Sequence, residues 1–232
     1  MKKKIFIVIT LALAFFLSGC VVEEPTSTAI CVGYPTDNHY SLQGNSKTTH
    51  VNVENVFESK TAAYVACGLM EELVKNYDPR NGSYSCGDLA ISARYNRKHS
   101  LEEEIKEIEE RSYSCMITTP NEEMNKKISG SWCLSFTYND VYREYKITFN
   151  EDGTYKEREE YDSATGTWIH EGIYYFDGKQ IDRMNKKYTS GSFVKEYEYN
   201  TIDKYLSYDE EKDVIVDSNI LPELPDEYTR CE

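Results

Sequence analysis

Basic side chains are scarce in this sequence. Only 26 Lys and Arg stand against 40 Asp and Glu, a formal charge of −14 at pH 7. Neutralising a phosphate backbone takes clustered Lys and Arg, so DNA and RNA are excluded as partners. Lying flat on an anionic lipid surface is excluded for the same reason. A basic protein partner and simple solubility both remain compatible with the acidic balance. Histidine is also sparse: His39, His50, His99 and His170 never fall four apart, and His-Glu-x-x-His is absent, so no zinc site is signalled. No Cys-x-x-Cys occurs, which removes thioredoxin-like redox chemistry and the zinc ribbon. Glycine-rich phosphate loops and Gly-x-Ser-x-Gly are missing too. Asn150-Glu151-Asp152-Gly153 lacks the spaced carboxylates and terminal Glu of a calcium loop and reads as a turn. Adjacent acids such as Glu159-Glu160 and Glu210-Glu211 fit a glycosidase pair on paper, but forty carboxylates produce such neighbours by composition. The expectation is no enzyme, no resident metal and no cofactor.

Long apolar runs are absent after the first twenty residues. Within them, Lys2, Lys3 and Lys4 precede thirteen mostly apolar residues, Ile5 to Leu17, too few to span a bilayer, which needs about 20. The run ends in Leu17-Ser18-Gly19-Cys20, which resembles the lipobox of bacterial lipoprotein signal peptides. That resemblance implies cleavage of residues 1–19 and acylation of Cys20. With two or three chains at about 0.8 kcal/mol per buried methylene, attachment is effectively permanent. It also implies an exported protein of the cell envelope, held on the membrane by its N-terminal lipid. Val21, where retained lipoproteins often carry Asp, favours the outer membrane if the cell is Gram-negative. Residues 20–50 are expected to be the lipidated cysteine and a tether, rich in Glu, Pro, Ser and Thr at its start.

With Cys20 committed to lipid, six of the seven cysteines remain: Cys31, Cys67, Cys86, Cys115, Cys133 and Cys231. An even number in an exported chain reads as structural disulfides. Sequence alone does not choose among the pairings. The working expectation pairs neighbours in the first half and joins Cys133 to Cys231.

The two halves differ in periodicity. From Val53 to about Tyr77, the steps Val56, Ala63, Cys67, Met70, Val74 and Tyr77 are helical, and Asp78-Pro79 stops them. A second helix starts at Ser100, with Glu103 completing a capping box and Leu101, Ile105 and Ile108 as its stripe. Residues 51–120 are therefore expected to be a small helical, disulfide-stapled region. Beyond Pro120 the period becomes two: Trp132, Leu134, Phe136 and Tyr138, then Tyr145, Ile147 and Phe149. Asp152-Gly153, Asp177-Gly178 and Ser190-Gly191 punctuate further strands over 154–161, 167–176, 180–184 and 192–199. An antiparallel β-barrel or sandwich over 121–232 follows, ending in an extended tail at Pro222 to Pro225. The fold class is α+β.

Gly130-Ser131-Trp132 heads the first of these strands, followed by Asp152-Gly153-Thr154-Tyr155, Gly166-Thr167-Trp168 and Gly172-Ile173-Tyr174. In this order the motifs resemble those of bacterial lipocalin-like domains, over about residues 128 to 208. The resemblance implies a barrel with Trp132 plugging its closed end. Twenty tyrosines and two tryptophans concentrate in this half, most of them serving as strand formers. The dense group Tyr174, Tyr175, Phe176, Tyr197 and Tyr199 exceeds what burial alone would use. The expected function is binding of a small apolar or amphipathic ligand inside the barrel. Phe136, Tyr145, Phe149, Tyr155, Trp168 and Tyr174 are the wall candidates. The alternative is an acidic interaction or inhibitor module that binds a basic protein, distinguishable by its salt sensitivity.

Overall fold

Period-two alternation organises both halves of the chain, not only the second. The structure is a computed structural model that describes residues 25–33, 38–161, 166–198 and 200–231. The leader, Cys20 and Tyr199 lie outside the described residues. Among those described, no helix is long and apolar enough to cross a membrane.

The first half is a six-stranded sheet. Strands β1 (Ser27–Val32), β2 (His39–Gly44), β3 (Thr49–Val56), β4 (Ser83–Cys86), β5 (Ala90–Arg97) and β6 (Ser114–Ile117) take the order β4-β5-β3-β2-β1-β6. Every pairing in it is antiparallel. Two helices cover one face: α1 (Lys60–Tyr77) and α2 (Leu101–Glu109). Ala29, Leu42, Val51, Val53, Ile91 and Ala93 pack there against Met70 and Val74 of α1 and Leu101 and Ile108 of α2. The expected helical region is thus corrected to a sheet carrying two helices. Val53 to Val56 belong to β3, and α1 begins only after its N-cap Ser59. The expected tether is corrected as well, because β1 starts at Ser27 and pairs with both β2 and β6. Ser100 caps α2 as expected, its side chain accepting from the Glu103 N–H while the Glu103 carboxylate accepts from the Ser100 N–H.

The second half closes on itself. β7 (Gly130–Tyr138), β8 (Val141–Phe149), β9 (Thr154–Tyr161), β10 (Thr167–Phe176) and β11 (Gln180–Ser190) form an antiparallel meander. β12 (Phe193–Glu196) folds back on the end of β11. The chain then re-enters through β13 (Ile202–Asp209), β14 (Val214–Asp217) and β15 (Glu227–Arg230), and β15 pairs with β7. Eight strands therefore make a closed antiparallel barrel, which fits the lipocalin resemblance, although β14 and β15 lie beyond the residues that resemblance covered. The extended tail is corrected here, since the last thirty residues supply barrel strands. At the β10 bulge, a Cβ on Gly172 would meet the Met184 carbonyl of β11 and lie 2.9 Å from the Tyr155 ring. Only glycine leaves room there for that ring.

One end of the barrel is sealed. Helix α3 (Glu122–Ile128) leads into β7, and the Trp132 Nε1–H donates to the Ile128 carbonyl at 2.7 Å. The Arg230 guanidinium lies 3.8 Å from the Trp132 ring centroid and donates to the Lys127 and Ser129 carbonyls. Trp132 is fully buried. The two halves meet where Val32, Ile30 and Met116 pack on Met184, Ile202, Ile173 and Tyr175. Lys204 of β13 also pairs with Glu109 of α2 at 2.7 Å.

Three disulfides staple this architecture: Cys31–Cys115, Cys67–Cys86 and Cys133–Cys231. The Cys133–Cys231 expectation holds. Neighbour pairing in the first half does not, because one bridge nests inside the other: Cys31 and Cys115 are opposite one another on β1 and β6, while Cys67–Cys86 ties α1 to β4. Three bridges fit an oxidising, extracytoplasmic compartment.

Candidate functional site

Alternation sends every second barrel residue inward, and the character of those residues changes along the axis. Near α3 the interior is solid: Trp132, Ile147, Phe149, Phe176, Ile181 and Ile215 are all at most 1 % exposed. Tyr155 and Tyr174 complete this packing, Tyr174 edge-on to Phe149 with ring centroids 4.8 Å apart. Towards the far end, inward positions turn polar. β9 presents Glu157 and Glu159 after Tyr155, β11 presents Arg183 and Asn185 after Ile181, and β13 presents Asp203 and Tyr205. They line a cavity of about 340 Å³ at the open end, within the range of small-molecule sites. The segment between β14 and β15 adds Ile220, Leu221 and Leu224 to its rim.

Arg183 anchors the polar wall. It is 3 % exposed, donates to the Glu157 carboxylate at 3.0 Å and to the Tyr205 hydroxyl at 3.4 Å, and lies over the Tyr155 ring at 5.2 Å. Its Nε–H finds no acceptor among the described residues. Arg143 lies over the rings of Tyr138 and Tyr161 at 5.6 and 5.3 Å. Glu159 accepts from the Tyr161 hydroxyl at 3.1 Å and sits 3.8 Å from the His170 ring. Burial raises the Glu159 carboxyl above the usual carboxylate range, and the neighbouring Glu157 adds to it. Burial likewise raises Asp203 and Asp217, and it lowers His170. Desolvation penalises the charged form in every one of these cases.

Of the six expected wall residues, the structure brings two to the cavity: Phe136 and Tyr145, stacked with ring centroids 5.9 Å apart. Phe149, Tyr155 and Tyr174 are core, although the Tyr155 hydroxyl reaches the wall by donating to Asn185 at 2.5 Å. Trp168 packs edge-on to Tyr161 at 5.1 Å, beside the cavity lining. In the dense aromatic group, Tyr174 and Phe176 are buried and Tyr175 joins the contact between the halves. The charged wall was missed. Its signal was a strand whose inward phase continues from Tyr155 into Glu157 and Glu159, or from Ile181 into Arg183.

Outside the barrel, His99, Glu104 and Glu107 offer ligand atoms within 4.8 Å of one another. The Arg97 guanidinium already occupies that cluster, 2.8 Å from Glu104 and 2.7 Å from Glu107. A buried guanidinium supplies the positive charge there that a metal would otherwise bring.

Compared with protein-family models, with curated proteins and with solved structures, the chain matches none.

Proposed function

We propose that the chain is a lipid-anchored envelope protein without enzymatic activity, whose barrel holds a small amphipathic ligand. The observation that carries this reading is the cavity itself. A closed barrel, solid at one end, opens at the other into a hollow bordered by the stacked rings of Phe136 and Tyr145 and by the rim of Ile220, Leu221 and Leu224. A barrel of eight strands has an interior just wide enough to be filled by side chains or to hold one small ligand. This one does the first near α3 and leaves room for the second at the mouth. The lipid anchor rests on the Leu17-Ser18-Gly19-Cys20 motif, and export agrees with three disulfides.

Native and denaturing mass spectra of protein purified from an oxidising compartment test the reading. The expected result is a bound small molecule, released on denaturation and lost from the Phe136→Ala/Tyr145→Ala double variant. A clean apo mass from several expression hosts would overturn it. It would move the function to the alternative favoured by the acidic balance, association with a basic protein, to be sought by pull-down at low and high salt.

A further inference from the structure

The cavity is unusual in what surrounds the space. Four carboxylates line it, those of Glu157, Glu159, Asp203 and Asp217, against two guanidinium groups, Arg143 and Arg183. One carboxylate, Glu157, is committed to Arg183 at 3.0 Å. Arg143 is spread over two tyrosine rings and makes no ion pair with these carboxylates at 4 Å or less. The one imidazole, His170, is pushed by burial towards its neutral form. The wall is thus negative in excess, and its polar network is incomplete, since the buried Arg183 Nε–H has no acceptor among the described residues.

An apolar molecule entering this space would strip water from Glu159, Asp203 and Asp217 and return no charge. That desolvation is costly unless the carboxylates are paired or neutralised. An anion would add repulsion to the same cost. A cation reverses both terms, and the rings of Phe136 and Tyr145 at the cavity wall attract positive charge.

We propose that the ligand is an amphipathic amine: a protonated nitrogen held among Asp203, Asp217 and Glu159, and an apolar body between Phe136, Tyr145 and the leucine rim. The inference rests on the barrel-binding reading and adds the sign of the ligand's charge. A hydrogen-bond acceptor near the nitrogen, such as a hydroxyl, would complete the Arg183 side of the wall.

The test is a titration of the purified protein at pH 7 with three probes of equal chain length: octylamine, octanol and octanoate. Octylamine should bind at least about tenfold more tightly than octanol, a preference of about 1.4 kcal/mol, with octanoate weakest. The Asp203→Asn/Asp217→Asn variant should lose that preference and keep its octanol affinity. Glu159→Gln, at a half-buried position, provides a second variant should the first fail to fold. Equal binding of octanol and octylamine, or tighter octanoate, would overturn the charge assignment and leave the barrel-binding reading intact. Failure of all three probes would overturn both, which the mass spectra of the purified protein then check independently.

Discussion

Arg97 and Arg183 hold matching positions in the two halves. Arg97 follows the inward-facing Ile91, Ala93 and Tyr95 on β5, Arg183 follows the inward-facing Ile181 on β11, and each is almost completely buried against glutamate. What encloses them differs. The open sheet needs helices to cover its face, so α1 brings the Tyr77 ring to 4.4 Å from Arg97 and α2 brings Glu104 and Glu107 onto its guanidinium. The charge becomes a clamp between three elements. The barrel covers its own interior and needs no such lid, so Arg183 and Glu157 stand in a wall facing open space. A buried ion pair is therefore structural in the first half and positioned for contact in the second.

The sharpest way to break the comparison is to open the barrel. Its closing ladder is short, with only Thr229 opposite Cys133 and Arg230 opposite Trp132. The Cys133–Cys231 bridge lies beside that seam and spans 98 residues, against 19 for Cys67–Cys86. Chain entropy gives about 4.7 kcal/mol for the long loop and about 3.2 kcal/mol for the short one. Urea denaturation should show Cys133→Ser/Cys231→Ser as the costlier double variant, with ligand binding lost. Cys67→Ser/Cys86→Ser should leave binding unchanged. Equal losses, with the cavity still functional, would mean that the ladder closes the barrel without help.

The Arg97 clamp should rank next. Arg97→Met leaves Glu104, 2 % exposed, without its countercharge, at a cost of about 3–5 kcal/mol. Burial already raises the Glu104 carboxyl against the pull of Arg97. Arg97→Met/Glu104→Leu should recover most of that loss, because both buried charges then go together. Neither variant should alter ligand affinity. A change in affinity would show that the halves are coupled.

The contact between the halves provides a signed pH test. Burial raises Asp182 from 3.8 to about 6, with Lys204 opposing from 3.9 Å. Its folded pKa exceeds its unfolded one, so the folded state binds the extra proton between those values. The contribution of Asp182 to stability is therefore most favourable below about 4 and falls as pH rises to about 6. The full shift corresponds to about 3 kcal/mol, and relaxation around a partly exposed carboxyl reduces it. Asp182→Asn should stabilise the protein by about 1–3 kcal/mol at pH 7 and by almost nothing at pH 4. Denaturation midpoints at the two pH values decide it, and an equal gain at both would remove titration as the cause.

The same contrast explains what could be read in advance. β7 to β10 were legible because their inward phase is aromatic and aliphatic, as in Trp132-Leu134-Phe136, and Asp152-Gly153 and Asp177-Gly178 mark the turns after β8 and β10. β13 to β15 were not. β13 carries an irregular register against β11 between Ile181 and Arg183, and β14 and β15 have four residues each, too few for a pattern. β1 hid because its inward positions are as modest as Ala29 and Cys31, and β2 and β3 because Thr, Ser, His and Asn alternate with only two apolar core positions each, Tyr40 and Leu42, Val51 and Val53. The cavity wall escaped because a search for ligand contacts among aromatics selects the side chains that pack best. In a tapering interior those are the ones that seal the core, as Phe149 and Tyr174 do. The residues that leave space are the charged ones, which composition assigns to the surface.

Local signals fared better than tertiary ones, and the capping box gives that claim its smallest test. Ser100 and Glu103 satisfy each other's backbone donors at the start of α2, at 3.2 and 2.9 Å. The helix they start carries Glu104 and Glu107 to Arg97. Ser100→Ala removes the acceptor of the Glu103 N–H and should cost about 1 kcal/mol, seen in thermal denaturation of the whole chain. Should the loss approach that of Arg97→Met, the cap would be setting the position of the clamp. A loss near 1 kcal/mol would make α2 a helix held by its packing, with the cap a local correction to its first turn.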